Sequence, residues 1–262
     1  MPTNPTLPFV PRKLHIAPVG FEVDRVVQPI IAMRGDAAVL VSNVAGQDEA
    51  PRFRQEVERQ LRQAKIFPTT IRAPIFDLYA TTEKILEVLR SNRDEHLYFN
   101  ASSGSKIQSL SGYIASNLAR SEGIHVESYY AEPESYAPTR GQPLSRGFVR
   151  AFYIPALTVR TPEPLLRSAM ELLHQRPLSK LDLALRLARQ DLLTARLTGE
   201  GRPQDDAARV SLQTAVDTKV IRPLLGWRFV DTQRVGRHVR VSLTPEGAQA
   251  LRLYRSSGSS AQ

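Results

Sequence analysis

Apolar and polar residues alternate along the first 158 residues in blocks that predict strands and helices in turn. Short apolar runs bounded by turn residues, typical of buried strands, lie at 14–19, 37–41, 70–78, 97–99, 124–130 and 148–154. Segments with apolar residues at helical spacing lie between them, at 22–33, 48–64, 81–89 and 107–118. This alternation predicts a parallel, doubly wound, Rossmann-like sheet with helices on both faces. Residues 131–147, rich in Pro, Ser, Gly and Tyr, predict a long loop.

From about residue 158 the pattern changes to helices followed by a β-hairpin. Helices are predicted at 164–175, 179–189 and 205–221, the last ending before Pro223. Two β segments, 226–230 and 238–243, flank a polar, basic turn, and Thr244 caps a closing helix. This order is typical of a winged helix-turn-helix domain, which places a helix in the DNA major groove. A helical oligomerisation module is the alternative interpretation.

These patterns divide the chain into four segments. We expect an extended N-terminal arm over 1–12, a Rossmann-like domain over 13–157, the winged helix domain over 158–255 and a disordered tail over 256–262. The arm is proline-rich and lacks the basic-then-apolar pattern of a signal peptide. No apolar run approaches the roughly 18 residues of a membrane span. We therefore expect a cytoplasmic protein with no membrane partner.

The composition excludes several classes of site. The chain has no cysteine, which removes disulfides, thiolate zinc sites, iron–sulfur clusters and cysteine nucleophiles. Its five histidines include no pair at the i, i+4 spacing of a helical metal site. We therefore expect neither a metal nor a cofactor.

The positive charge is concentrated in the second half of the chain. Residues 1–158 hold 18 basic and 16 acidic residues, whereas residues 159–262 hold 17 and 10. Five arginines lie within 222–240, with Asp231 as the only acidic residue there. Such a cluster indicates a polyanion partner. Because 29 of the 35 basic residues are arginine, a general arginine bias on solvated faces is the alternative.

Two loops of the predicted sheet are candidates to line one ligand-binding crevice. In the common strand order 3-2-1-4-5-6, the order reverses between strands one and four, and ligands bind beyond the carboxyl ends of the strands at that point. The loops there are 18–22 and 100–106. They are therefore expected to face each other across one crevice.

The loop after strand four predicts an anion site. It combines an amide, three hydroxyls, a glycine and a lysine directly before a helix, whose N-terminal N–H groups favour a negative ligand. Its members are Asn100, Ser102, Ser103, Gly104, Ser105 and Lys106. The alternative is a serine cap beside a solvated lysine. The P-loop spacing and the dinucleotide G-x-G-x-x-G are both absent, so we do not expect an NTPase or NAD binding.

The loop after strand one offers further candidates. Gly20 allows close backbone approach, Phe21 could stack on a base, and Arg25 could reach a phosphate. Glu22 is the only carboxylate in either loop that could act as a general base. The plainer interpretations are a turn glycine, a core phenylalanine and a surface ion pair.

The chain resembles CARF-domain transcriptional regulators of CRISPR-associated systems. The segment His15-Ile-Ala-Pro-Val-Gly-Phe-Glu-Val-Asp-Arg25 is similar to the strand-one motif of the archaeal-type members. Asn100-x-Ser102-x-x-x-Lys106 matches the pattern of that family after strand four, and Leu243-Thr-Pro-Glu-Gly247 is similar to the winged helix attached to it. The resemblance covers roughly residues 13–255.

The resemblance implies a homodimeric sensor of cyclic oligoadenylate, the second messenger of type III systems. Cyclic tetra-adenylate is two-fold symmetric, as the dimer would be, and is the favoured ring. By the resemblance, Asn100, Ser102 and Lys106 contact the ligand, with Gly20 and Phe21 from the facing loop. Binding would then change the affinity of the winged helix for double-stranded DNA.

We expect residues 205–222 to form the recognition helix, with Arg209, Gln213 and Lys219 as candidates to reach base edges. Arg234 and Arg237 would lie on the wing and contact phosphate or the minor groove.

Two other functions remain open. One is a metal-independent ring nuclease in which Ser102, Ser103 and Lys106 stabilise attack of a ribose hydroxyl on the adjacent phosphate. The other is a metabolite-sensing regulator unrelated to CRISPR systems.

Overall fold

The computed structural model describes residues 10–44, 50–136, 141–159, 161–194, 196–236 and 238–254. The chain divides into two compact units, Met1–Arg160 and Thr161–Gln262, here called the first unit and the second unit. The strands of the first unit are β1 (Lys13–Pro18), β2 (Ala37–Asn43), β3 (Phe67–Ala73), β4 (His96–Asn100), β5 (Val126–Glu132), β6 (Ser135–Tyr136), β7 (Ser145–Arg146) and β8 (Arg150–Tyr153). Its helices are α1 (Asp24–Ala32), α2 (Ala50–Gln63), α3 (Leu78–Ser91) and α4 (Lys106–Ser121).

The first unit has the predicted Rossmann-like sheet. Its six strands have the order β3-β2-β1-β4-β5-β8, so the order reverses between β1 and β4 as expected. The pairs among β1 to β5 are parallel, because a helix crosses over between each consecutive pair of strands. The sixth strand, β8, runs antiparallel to β5. The intervening segment contains no crossover helix among its described residues, only the short ladder of β6 with β7.

Helices cover both faces of the sheet. On one face, α1 and α2 bury an apolar cluster that includes Ala17, Leu40 and Val57. On the other face, α4 lies so close to β4 that a Cβ atom added at Gly112 would be 1.8 Å from the Phe99 ring. This contact requires a glycine at residue 112.

The boundary between β3 and α3 differs from the prediction. The apolar run 70–78 was expected to be one strand, but β3 ends at Ala73 and α3 begins at Leu78. A turn closes between them, with the Asp77 N–H donating to the Pro74 carbonyl at 2.7 Å. The Asp77 side chain then caps α3 by accepting from the Ala80 N–H at 3.0 Å.

His15 of β1 is a buried histidine. Its Nδ1 atom lies 3.1 Å from the Tyr129 hydroxyl, and its ring stacks on Tyr98 with centroids 4.8 Å apart. Burial, and secondarily the charge of Lys13, lowers the pKa of His15 from 6.5 to about 3, against a smaller opposing effect of Asp36. The folded pKa therefore lies below the unfolded value, and folding stability falls as the pH drops from about 6.5 towards about 3.

We expect the first unit to lose about 2 kcal/mol of unfolding free energy between pH 7 and pH 5 through His15 alone. Seven of the eight tyrosines lie in this unit, whereas the single tryptophan, Trp227, lies in the second. Urea denaturation followed by tyrosine near-ultraviolet circular dichroism therefore reports on the first unit. His15→Leu should flatten the pH dependence, and replacement of the exposed His125 by alanine should not. Equal pH dependence in wild type and His15→Leu would refute the assignment.

The second unit has the predicted winged helix architecture. Its helices are α5 (Pro164–Gln175), α6 (Lys180–Ala188), α7 (Asp206–Val216), α8 (Arg222–Gly226) and α9 (Pro245–Tyr254), with a π-helical turn over Asp217–Ile221. Its strands are β9 (Leu178–Ser179), β10 (Val230–Val235) and β11 (His238–Leu243), which form one antiparallel sheet in the order β10-β11-β9. The hairpin of β10 with β11 is the wing.

Three features of this unit differ from the sequence prediction. The β segment expected over 226–230 is wrong, because α8 extends to Gly226 and the first strand of the wing, β10, runs over Val230–Val235. The helix expected to end before Pro223 continues through it to Gly226. The wider π-helical turn directly precedes this proline, which lacks an N–H and crowds the previous turn of a regular helix. The pairing of β9 with β11 was also not predicted, because β9 has only two residues.

Candidate functional site

The two loops expected to face each other do meet at the carboxyl edge of the first unit's sheet. A Cβ atom added at Gly20, after β1, would lie 3.0 Å from the Gly104 Cα atom, after β4. Gly104 has φ +82°, and a Cβ there would lie 2.5 Å from the Pro18 Cβ. Glycine is therefore required at residue 104 both by its backbone conformation and by its close neighbour.

The N-terminus of α4 is held by a network that the sequence analysis missed. Ser105 and Gln108 form a capping box, in which each side chain accepts from the backbone N–H of the other residue. The Gln108 Nε2 donates to the carbonyl of Val41 on β2, and the Ser105 Oγ donates to the Ile75 carbonyl at 3.1 Å. The spacing Ser-x-x-Gln is the signal that could have identified Gln108. The network ties the start of α4 to β2 and to the turn after β3.

Some polar side chains of the β4–α4 loop form hydrogen bonds with backbone groups, whereas one side-chain hydroxyl has no partner among the described residues. Asn100 is fully buried, and its amide donates to the Arg25 carbonyl and accepts from the Ser102 N–H. The Ser102 Oγ accepts from the Ala131 N–H. The Ser103 Oγ, in contrast, is buried and has no partner among the described residues. Asn100 and Ser102 therefore shape the loop, whereas the buried Ser103 hydroxyl has unused hydrogen-bonding capacity among the described residues.

Lys106 is the available positive charge of this loop. It is the first residue of α4, its side chain is exposed, and it forms no ion pair or hydrogen bond with any described residue. Its charge adds to the partial positive charge of the helix N-terminus. Ser105 capping α4 beside the exposed Lys106 also has the features of the alternative interpretation, a serine cap beside a solvated lysine, so the anion site stays a prediction.

Glu22 and Arg25 are buried, whereas the sequence analysis expected both to be available to a ligand. They are 6% and 4% exposed and form an ion pair with an N–O distance of 3.2 Å. Arg25 also donates from Nε to the Ala131 carbonyl at 2.9 Å and lies over the Tyr130 ring, leaving its Nη2 without a partner among the described residues. Glu22 accepts from the Ser145 hydroxyl. The pair therefore holds α1 to β5 and β7, and Arg25 does not extend towards solvent to meet a phosphate.

Phe21 is the half-exposed residue of the β1–α1 loop. Its ring is 39% exposed and packs edge-to-face on Phe53, with centroids 5.6 Å apart. Its carbonyl accepts from the Leu144 N–H at 3.0 Å. One edge of the ring is thus anchored, and the exposed part is available to a ligand.

The second unit has a basic groove of about 1040 Å³ between α6, α7 and the wing. Two of the predicted DNA contacts, Arg209 and Gln213, line it. Lys219 and Arg234 are exposed but do not line it, and Arg237 lies outside the described residues. The groove also contains basic residues that the sequence analysis did not select: Arg176, Lys180, Arg222 and Arg240.

One carboxylate orders part of this groove. Asp217 accepts from Lys180 and, at 3.0 Å, from Arg222. The hydrogen bond from Lys180 is the main reason that the pKa of Asp217 is lowered. Asp217 therefore stays ionised and holds two cations at one wall of the groove. Only the folded structure brings Lys180 to Asp217, 37 residues away in the sequence.

Among the described residues, no group of three or more His, Asp or Glu side chains could hold a metal ion. Within the same residues, every helix is too short or too polar to cross a membrane.

Two family models match the chain. Residues 13–136 match the model described as HFX_2341_N-like, N-terminal, and residues 166–255 match the DUF6293 C-terminal winged helix domain. The chain is 26% identical over 127 residues, 46% of its length, to the uncharacterized protein MJ1513 of Methanocaldococcus jannaschii, and it spans 38% of that protein. The predicted winged helix is thus confirmed.

Solved structures are similar to the chain at low identity. One is Can2 from Sulfobacillus thermosulfidooxidans in complex with cyclic tetra-adenylate, with 14% identity, a TM-score of 0.39, and coverage of 92% of this chain and 61% of that chain. Another is protein VC1899 from Vibrio cholerae, with 15% identity, a TM-score of 0.40, and coverage of 92% and 64%. The chain therefore spans less than two thirds of either structure.

Proposed function

We propose that this protein is a cyclic oligoadenylate-responsive, DNA-binding transcriptional regulator. The observation that carries the proposal is the pairing of two features in one chain. An anion site lies at the carboxyl edge of a Rossmann-like sheet, and a winged helix carries a basic groove. The resemblance of the strand-one and strand-four motifs to CARF-domain regulators supplies the ligand class.

The anion site suits a ligand with several phosphates. The α4 N-terminus, the Ser103 hydroxyl and the Lys106 ammonium all favour negative charge, and the half-exposed Phe21 offers an apolar surface beside them. Cyclic tetra-adenylate is two-fold symmetric. A homodimer with an isologous interface would present two copies of this site to one ring. Cyclic tetra-adenylate is therefore the preferred ligand and the homodimer the preferred assembly.

The basic groove suits the DNA backbone. Arg209 and Gln213 lie on α7, the helix that enters the major groove in winged helix domains, and arginine and glutamine can bond guanine and adenine in pairs. The remaining cations of the groove supply phosphate contacts, which add affinity without reading sequence. The ligand would act by binding one arrangement of the dimer more tightly than another.

The buried pair of Glu22 and Arg25 favours sensing over cleavage. Glu22 is the only carboxylate of the two loops, and it is occupied by Arg25 and Ser145. A general base needs a free oxygen within reach of the attacking hydroxyl. We therefore propose ligand binding without ring cleavage.

The test uses the full-length protein. Calorimetry should detect binding of cyclic tetra-adenylate, with the cyclic tri- and hexa-adenylates and linear tetra-adenylate as controls. Fluorescence anisotropy should show that the ring changes affinity for DNA upstream of the protein's own gene, and light scattering should show a dimer. Absence of binding to every ring would overturn the proposal, and linear products in the same samples would replace sensing with cleavage.

The wing offers a separate prediction about DNA. Arg234 is exposed on β10, so replacement by alanine should remove about one phosphate contact and lower the slope of log affinity against log salt by about 0.9. The loss should be similar for specific and non-specific DNA. Arg93→Ala removes the same charge from the exposed surface of the first unit and should leave the slope unchanged. A salt titration in which Arg234→Ala keeps the wild-type slope would show that the wing does not contact DNA.

A further inference from the structure

A solvent-exposed aromatic side chain follows β3, at the same edge of the sheet as the predicted anion site. Phe76, in the turn between β3 and α3, is 79% exposed and is the most exposed large apolar side chain in the described part of the chain. β3 runs parallel to β1 and β4, so this turn lies at the same carboxyl edge of the sheet as the two loops of the anion site.

The turn is joined directly to the anion site. The Ser105 Oγ, at the cap of α4, donates to the carbonyl of Ile75, the residue before Phe76. Adding covalent bond lengths to this 3.1 Å contact places the Phe76 Cα within about 7 Å of the Ser105 Oγ. The next residue after Ser105 is Lys106, the free cation of the site. The Phe76 backbone and the N-terminus of α4 are therefore neighbours.

Hydrogen bonds within the chain stabilise this turn. The Pro74 carbonyl accepts from the Asp77 N–H at 2.7 Å and from the Thr81 Oγ1 at 2.9 Å. Asp77 caps α3, and Ile75 is buried. Phe76 is thus a side chain displayed in water by a turn whose other residues are bonded or buried. Stacking of a base on this ring would therefore cost little backbone conformational entropy.

We propose that Phe76 is the stacking surface for a purine base of the ligand, and so a specificity-determining residue of this site. The inference rests on the proposed function and extends it: the α4 N-terminus binds phosphate, and Phe76 binds the base attached to it. Flat π faces stack on any base, whereas a phosphate site alone accepts any anion. The two together select nucleotides over simple phosphates.

The experiment compares two phenylalanines at opposite ends of one strand. Phe76 follows β3, and Phe67, which is 76% exposed, begins it at the other edge of the sheet. Calorimetry with cyclic tetra-adenylate and with AMP should show binding about 5- to 150-fold weaker in Phe76→Ala. Phe67→Ala should bind as wild type does. Phe76→Trp should retain affinity, and Phe76→Leu, which is apolar but not aromatic, should lose most of it.

The outcomes separate this inference from the proposed function. If wild type binds and Phe76→Ala binds equally well, the role of Phe76 is overturned and the proposed function is not. Phe76-dependent binding of AMP without binding of any ring overturns the proposed function and supports the role of Phe76. Failure of both probes to bind wild type overturns both. If Phe76→Ala changes the oligomeric state by light scattering at unchanged affinity, the residue is a subunit contact instead.

Discussion

Replacing Arg25 with methionine is expected to lower the free energy of unfolding of the first unit by about 3–5 kcal/mol. The substitution leaves the Glu22 carboxyl group 6% exposed and without its partner cation. It also leaves the Ala131 carbonyl without the Nε donor that now lies 2.9 Å away. A buried charge that loses its only counter-ion keeps its desolvation penalty and loses the attraction that offset it.

The measurement is urea denaturation followed by the tyrosine circular dichroism of the first unit. The double variant Glu22→Gln/Arg25→Met removes the stranded charge and should recover part of the lost stability. Lys84→Met provides the matched control, because Lys84 pairs with Glu87 on the exposed face of α3, and breaking that pair should cost less than about 1 kcal/mol. If Arg25→Met keeps wild-type stability but loses ligand affinity, Arg25 is a ligand contact, as the sequence analysis predicted.

Lys106→Ala should weaken the binding of cyclic tetra-adenylate by about 10- to 150-fold, a loss of about 1.5–3 kcal/mol. Lys106 is exposed and has no partner among the described residues, so its removal should leave the fold unchanged. The lost free energy is that of one charge-assisted contact to a phosphate at the start of α4.

Calorimetry of wild type and variant checks this expectation. Lys106→Arg retains the charge and should keep most of the affinity. Lys84→Ala removes an equal charge from an exposed position of the same unit and should not affect binding. A dissociation constant unchanged in Lys106→Ala would disprove the assignment of the anion site to this loop.

Much of the fold could be predicted from local patterns. The alternation of apolar runs with amphipathic helices was sufficient for a mostly parallel sheet, and the common order of such sheets matched the observed strand order, but the antiparallel direction of β8 was not predicted. The helix-hairpin-helix pattern was sufficient for the winged helix. Element ends were less certain. Pro74 and Asp77 divided an apolar run that read as one strand, and Pro223 did not end its helix because a π-helical turn precedes it. In each case the hydrogen bonds available nearby, rather than the apolar pattern, decided where an element ended.

The candidate site was predicted in part. Local sequence contained the hydroxyls and the lysine of the β4–α4 loop, but the folded chain uses the Ser102 and Ser105 hydroxyls in its own hydrogen bonds. The capping role of Gln108 was also encoded locally, in its spacing from Ser105. Phe76 was missed because an exposed ring and a buried ring look the same in sequence.

By itself, the sequence determined most of the strands and helices, and which loop combines hydroxyls, a glycine and a lysine directly before a helix. These features depend on periodicity and on neighbours within a few residues. The tertiary structure alone decided that Arg25 is buried against Glu22 and Tyr130, that Asn100 bonds backbone instead of facing solvent, and that Asp217 orders Lys180 and Arg222. Burial and charge pairing depend on which distant segments meet, and a polar side chain that finds a partner there is no longer available to a ligand.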